Sequence, residues 1–323
     1  MKPVISISAA AARSAEPQRQ RTLRAIAAGQ PSMAAPPAQL ERRRAYVRAT
    51  WPALEDDIVR EGIIGSADET LFSSYLGRGA RCAEAVGRIC LRDEPAQTRA
   101  LGTGFLVAGS ALITNSHVLE TPEDAADCVV EFGYEYDALG AERRVQLHEF
   151  DPDRLFVTDA DLDYTIVAVK PSRTGEAGKK RGFLPLIGRT GKVRNGEPLN
   201  LIHHPSGDRK KITIRESRLL AMKDLQLEYS GDTLGGSSGS PVLNDQWEVV
   251  GLHFGGKPKR DAQRRSLTLT GEVWQPGMSE HVRAYEFNVA SRISQILAHV
   301  QSQLATGTGD DALLTAVLSG GSK

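Results

Sequence analysis

An antiparallel β-structure, closed or sandwiched, is the fold class this chain predicts, on three observations. From residue 83 onward, short apolar runs recur with a period of two. Gly, Asn, Asp and Pro turns separate them, and helical stripes become scarce until the C-terminal end. No internal repeat is present.

Composition narrows the class further. A chain of 323 residues can bury one large two-lobed core or two modest domains. Its 40% hydrophobic and 25% charged content is that of a soluble globular protein. Acids and bases balance at 40 each, so no global field attracts nucleic acid or an anionic membrane, and neither is an expected partner. No stretch approaches the ~18 apolar residues of a membrane span. Cys82, Cys90 and Cys128 are a sparse, odd set without metal-ligand spacing, which suits a reducing compartment. The N-terminus makes a weak secretory signal, its apolar run broken by Ser6 and Ser8, so a cytoplasmic location is the expectation.

Residues 1–39, rich in Ala, Pro, Gln and Arg, read as a disordered or weakly helical leader. From 40 to about 62 the apolar residues Leu40, Tyr46, Val47, Trp51, Leu54, Ile58 and Val59 fall at helical spacing, and Pro52 divides the stripe into two short helices. A short helix is predicted around 71–76. Strands follow at 85–91, 102–108, 111–114, 128–132, 145–150, 163–169, 199–203, 211–220, 226–229, 241–243, 248–253 and about 266–270. A helical stripe of Val289, Ile293, Ile296, Leu297, Val300 and Leu304 ends the fold, and 305–323 reads as a flexible tail.

The chemistry centres on YSGDTLGGSSGSPV at 229–242, a turn rich in glycine and serine. Such a turn can aim backbone N–H groups at one spot, and Ser238 sits where they would converge. A serine hydroxyl is a poor nucleophile until a base takes its proton and donors hold the oxyanion. Upstream, a strand runs into a polar turn carrying His117, and Asp163 stands at the mouth of the buried run 164–169. The order His, Asp, Ser has separations of 163 − 117 = 46 and 238 − 163 = 75 residues. Asp159 and Asp161 are the alternative carboxylates, but only Asp163 abuts the apolar strand. A rival arrangement takes GGSSG at 235–239 as the G-x-S-x-G elbow of α/β-hydrolases, with Ser237, Asp261 and His281. That elbow needs a helix after it, whereas 241–251 reads as two strands about an Asn-Asp turn.

Together the stretches GTGFLV (102–107), ITNSHV (113–118), LDYTIV (162–167) and GSSGSP (236–241) resemble the chymotrypsin-fold serine proteases, more closely the bacterial branch that includes the glutamyl endopeptidases. The resemblance covers about 83–304. It implies an all-β fold, an antiparallel double β-barrel with a helical N-terminal extension and a C-terminal helix. It implies a serine endopeptidase acting on a protein or peptide, without metal or other cofactor, through His117, Asp163 and Ser238, with the N–H groups of Gly236 and Ser238 as oxyanion hole. The family's usual Asp or Asn before the nucleophile is Ser237 here, which implies that activation by zymogen cleavage is not needed.

For the substrate pocket the resemblance marks Asp232, Thr233, His253 and Gly255. Thr233 and His253 look like the pair that binds a P1 carboxylate in glutamyl endopeptidases. Asp232 stands where trypsin carries the aspartate that selects Arg or Lys, and the two readings stay open. LIHHPSG at 201–207 resembles the His-Pro-Gly turn of the same branch; His203 and His204 lack further metal ligands at suitable spacing. The stretch 63–89 resembles the lead-in of trypsin-like peptidases in bacterial conflict and effector systems. That implies a regulated protease in stress or antiphage defence, with 40–82 as a regulatory or docking segment for a partner protein. A catalytically silent binding module of the same fold is the alternative.

Overall fold

The computed structural model describes residues 15–52, 71–92, 100–173, 175–304 and 310–320. Twelve strands form two closed antiparallel barrels. The first contains β1 (Val86–Leu91), β2 (Ala100–Ala108), β3 (Ala111–Thr114), β4 (Cys128–Phe132), β5 (Gln146–Asp159) and β6 (Tyr164–Val169), ordered β1-β2-β3-β6-β5-β4. The second contains β7 (Pro198–His203), β8 (Lys211–Met222), β9 (Gln226–Tyr229), β10 (Pro241–Leu243), β11 (Val249–Pro258) and β12 (Tyr285–Arg292), ordered β10-β11-β12-β9-β8-β7. Closure removes every exposed sheet edge, so these many short strands need no covering layer.

Strand existence follows the period-two pattern closely, and lengths follow less well. β5 runs on to Asp159 through a register break between Asp151 and Phe156, where the alternation lapses. The strand expected near 266–270 is absent: the 259–284 segment is a long loop stitched by isolated bridges such as Leu267 with Val273. The C-terminal half of β12 lies where the stripe predicts helix. Val289 lies in this strand, and the helix starts only at Ile293.

The helices depart most from expectation. Helix α1 (Glu16–Ala27), within the stretch expected to be disordered or weakly helical, and helix α2 (Pro37–Thr50), where the first helix of the 40–62 stripe is expected, pack on the second barrel. Their buried faces are polar: Arg19 and Thr22 on α1, Gln39 and Arg43 beside Tyr46 and Val47 on α2. Arg43 donates to Glu197 (3.0 Å) and Gln246 (2.8 Å), while Tyr46 and Trp51 donate to Glu248 at 2.8 and 2.9 Å. A hydropathy pattern cannot register contacts of this kind, since paired charges bury without apolar periodicity. The second half of the 40–62 stripe falls outside the described residues.

Helix α3 (Ser74–Glu84) lies later than the helix expected at 71–76 and leads directly into β1. Two short helices follow in the first barrel, α4 (Pro122–Ala126) and α5 (Ala177–Arg181). At the end come α6 (Ile293–Leu304) and α7 (Asp311–Leu318). Leu313, Leu314 and Val317 of α7 join the main hydrophobic core, so that part of the expected tail is docked. Among the described residues no helix is long and apolar enough to cross a membrane.

Candidate active site

β3 ends at Thr114 and releases a turn carrying Asn115, Ser116 and His117; β6 begins one residue after Asp163. Asp163 has φ 48°, a left-handed conformation that Asp tolerates better than most residues. The Asn115 side chain holds it there by donating to its carbonyl at 2.8 Å. Its carboxylate, 2% exposed as a residue, accepts from Ser116 Oγ (2.8 Å) and the His117 N–H (3.1 Å) on one oxygen. The other oxygen meets His117 Nδ1 at 2.8 Å. A carboxylate only accepts, so Nδ1 carries the hydrogen, and in the neutral ring the lone pair is on Nε2. Of the alternative carboxylates, Asp159 caps the turn by accepting from the Leu162 N–H (2.7 Å), and Asp161 is exposed.

The serine turn is held across the barrel junction. Thr103 of β2 does most of this: its N–H donates to the Ser238 carbonyl (2.8 Å) and its hydroxyl to the Gly236 carbonyl (2.8 Å). From the other side, the Gly239 N–H donates to His253 of β11 (2.8 Å), and the His253 N–H to Ser240 (3.0 Å). Ser238 is partly exposed. Its hydroxyl makes no hydrogen bond with His117, and the N–H groups of Gly236 and Ser238 take no partner among the described residues.

Gly236 has φ +90°, and a Cβ there would stand 2.6 Å from the His204 carbonyl and 2.8 Å from the Gly207 nitrogen. Only glycine fits. The carbonyl of Gly235 accepts from the Ser206 N–H on that same turn. In a trans peptide the N–H opposes the carbonyl, so the Gly236 N–H faces away from the 204–207 turn, toward the open side. Two unspent N–H groups beside a serine hydroxyl form an anion-stabilising site.

The histidines of the second barrel are of another kind. His203 meets Ser237 Oγ at 2.8 Å and Thr213 at 3.3 Å; burial pushes its pKa down to about 4. Ser237 itself is fully buried, which removes it as a nucleophile. His204 donates from Nδ1 to the Asp208 carbonyl (2.9 Å) and burial takes it to about 3. Among the described residues no group of three acidic, His or Cys side chains could hold a metal ion.

Three of the four expected pocket residues, Thr233, His253 and Gly255, meet β12 around Asn288 and Val289. Asp232 is exposed. His253 is 2% exposed, with Nδ1 2.7 Å from the Tyr229 hydroxyl and a second hydrogen bond to the Val289 backbone; burial lowers its pKa to about 3. Thr233 donates to Asn288 Oδ1 at 2.8 Å, and Gly255 lies opposite Val289 in the sheet. Thr103, Ser116, Tyr229 and Asn288 were missed by sequence reasoning. The first two lie inside the quoted motifs, and the polarity of Thr103 within apolar β2 is a usable signal; Asn288 sits in β12, just before the stripe expected to be helical.

Residues 102–252 match the trypsin-like peptidase domain. The chain is 36% identical over 277 residues to protein y4fB of Sinorhizobium fredii, described as uncharacterized, covering 80% of this chain and 41% of that one. It is 29% identical over 220 residues to secreted RxLR effector protein 73 of Plasmopara viticola, covering 62% and 52%. It thus spans about half the length of these relatives or less. Among solved structures it is similar to the serine endoprotease from Yersinia pestis, at 18% identity and TM-score 0.45, covering 72% of this chain and 67% of that one. A further similarity is to the HtrA-type protease AlgW with a tripeptide, at 15% identity and TM-score 0.46, covering 72% and 64%. By its two six-stranded barrels and its match over 102–252, this chain carries a trypsin-like peptidase domain of the chymotrypsin fold.

Proposed function

We propose that the chain is a serine endopeptidase that cleaves protein substrates through an acyl-enzyme. The observation that carries this reading is the Asp163–His117 pair at 2.8 Å, which fixes the ring with its Nδ1 hydrogen on the carboxylate, on the same barrel junction as Ser238 and its two unspent N–H groups. His117 Nε2 takes the Ser238 proton as the hydroxyl oxygen attacks the scissile carbonyl, and Asp163 stabilises the imidazolium. The carbonyl oxygen, now negative, is held by the N–H groups of Gly236 and Ser238. Collapse expels the amine, which receives the proton from His117; water then repeats the sequence on the ester. The missing Ser238–His117 hydrogen bond is one that substrate-free sites often form only when occupied.

The test is labelling with a fluorophosphonate probe. Wild type should react, and Ser238→Ala should not; an unreactive wild type would put the silent binding module in its place. A regulated role in stress or antiphage defence, with the N-terminal segment receiving a partner, rests on the 63–89 resemblance. A chain beginning at Leu76 with full activity and an unaltered response to its activator would remove it.

A further inference from the structure

Arg88 lies in the middle of β1 among apolar residues, 7% exposed, and the chemistry described so far does not use it. It stands in register with Glu131 of β4 on one side and Thr103 of β2 on the other. Its Nε donates to Glu131 Oε2 at 2.7 Å, and its Nη2 donates to the same oxygen. Nη1 crosses to the second barrel and donates to the Gly207 carbonyl at 2.6 Å. The guanidinium also lies 3.6 Å over the Tyr134 ring, whose other neighbour is the His204 ring. The Tyr134 carbonyl accepts from the Lys210 N–H at 2.9 Å. Thr103 adds a further hold, since its hydroxyl accepts from the His204 N–H at 3.1 Å. The first barrel thus grips the 204–210 segment at its start, at Gly207 and at Lys210.

The gripped turn is strained. Ser206 has φ 57° and Gly207 φ +69°, two left-handed residues in succession, and for a serine that conformation costs free energy. It persists only where the surroundings impose it, and the bond from Arg88 to the Gly207 carbonyl is one of the contacts that do. So held, the Ser206 N–H keeps the Gly235 carbonyl on the turn. The 235–236 peptide joins two glycines, so its own side chains do nothing to fix which way it faces. We infer that Arg88 is a positioning residue for the anion site: by holding the Gly207 carbonyl it keeps the Gly236 N–H turned toward the oxyanion. The proposal deepens the endopeptidase reading and rests on it. Without Arg88 the turn relaxes, the 235–236 peptide is released to rotate, and one of the two donors is lost for part of the time. An oxyanion exists only as the bond forms, so the loss falls on the chemical step and not on binding.

The experiment follows fluorophosphonate labelling of the full chain over a range of probe concentrations, which gives a limiting rate k2 and a half-saturating concentration KI. The phosphoryl oxygen of the probe takes the place of the oxyanion, and k2 does not depend on how much of the sample is folded. Urea midpoints run in parallel. The variants are Arg88→Met, which strands the buried Glu131 carboxylate, and Arg88→Met with Glu131→Gln, which removes that charge as well. Both should lower k2 by about 10- to 100-fold with KI unchanged, less than the roughly 10²–10³-fold that removing one donor outright costs. The double variant should regain most of the urea midpoint lost by the single one while k2 stays low. If the single variant fails to fold, the double carries the test. Recovery of k2 along with stability would overturn the proposal, because Arg88 would then serve the fold alone. So would a change confined to KI. A wild type that does not label would instead sink the endopeptidase reading, and this one with it.

Discussion

The Tyr229 hydroxyl meets Nδ1 of His253 at 2.7 Å, with both side chains buried in the second barrel. This contact keeps a neutral imidazole inside the strand that flanks the serine turn. Tyr229→Phe would leave a buried ring nitrogen without that partner, at roughly 1–3 kcal/mol of stability. Urea denaturation should show the loss, while Ser238 labelling at low temperature persists. An unchanged urea midpoint would mean the bond contributes nothing.

Asp163→Asn isolates the electrostatic part of the dyad, because Asn also tolerates the φ of 48° and the variant should fold. The amide can present its oxygen to Ser116 and the His117 N–H but cannot stabilise an imidazolium. We expect kcat to fall by roughly 10⁴-fold with little change in KM. His117→Ala should fall about as far, and combining the two should add little. A loss confined to KM would contradict the assigned roles.

Gly236→Ala tests the anion site. With φ +90° and a carbonyl 2.6 Å from the new methyl, the turn must shift and carry the Gly236 N–H with it. Removing one such donor costs about 10²–10³ in kcat. Stopped assays on a good peptide should show that drop with the unfolding midpoint still measurable; wild-type kcat would show that the N–H does not point where the oxyanion forms.

How much of this was legible beforehand depends on the kind of contact. Strands were readable because barrel interiors impose a period of two, and the His, Asp and Ser turns because each abuts an apolar strand with polar residues that have no packing reason to be there. Asn288 was not: its neighbour Val289 in β12 also falls on the helical stripe that continues through Ile293 and Ile296. Nor was the docking of α1, through Arg19 and Thr22; α2 was legible from Tyr46 and Val47, but its buried polar contacts through Gln39 and Arg43 were not. Polar burial leaves no hydropathy trace and depends on partners more than a hundred residues away, such as Glu197 for Arg43.

Of the four buried histidines, the three pushed furthest down should make the fold acid-sensitive. His203, His204 and His253 are depressed from 6.5 to about 4, about 3 and about 3, in each case chiefly by burial. The unfolded chain then binds protons that the folded chain refuses. Their contribution is full above pH 6.5 and is lost as pH falls toward the folded values, with a slope approaching about 4 kcal/mol per pH unit for three protons. Urea midpoints at pH 7.5, 6 and 5 should decline with increasing steepness. A flat profile over that range would mean that the rings are protonated, or reached by water, in the folded state.

The N-terminal helix supplies the last test. Arg19 of α1 is 4% exposed and pairs with Glu228 of β9, which is fully buried and also meets Lys223. The guanidinium lies 4.3 Å over the Phe287 ring. Phe287 precedes Asn288 and Glu228 precedes Tyr229, so α1 backs strands β9 and β12 of the second barrel. Arg19→Ala should cost roughly 3–5 kcal/mol, because it strips a buried carboxylate of one of its two cations. Arg19→Met with Glu228→Gln removes the charge together with its partner and should recover most of that loss. If Arg19→Ala were as stable as wild type, α1 would be a dispensable leader after all. If the double variant were no better than the single, the cost would lie in packing on Phe287 and not in the stranded charge.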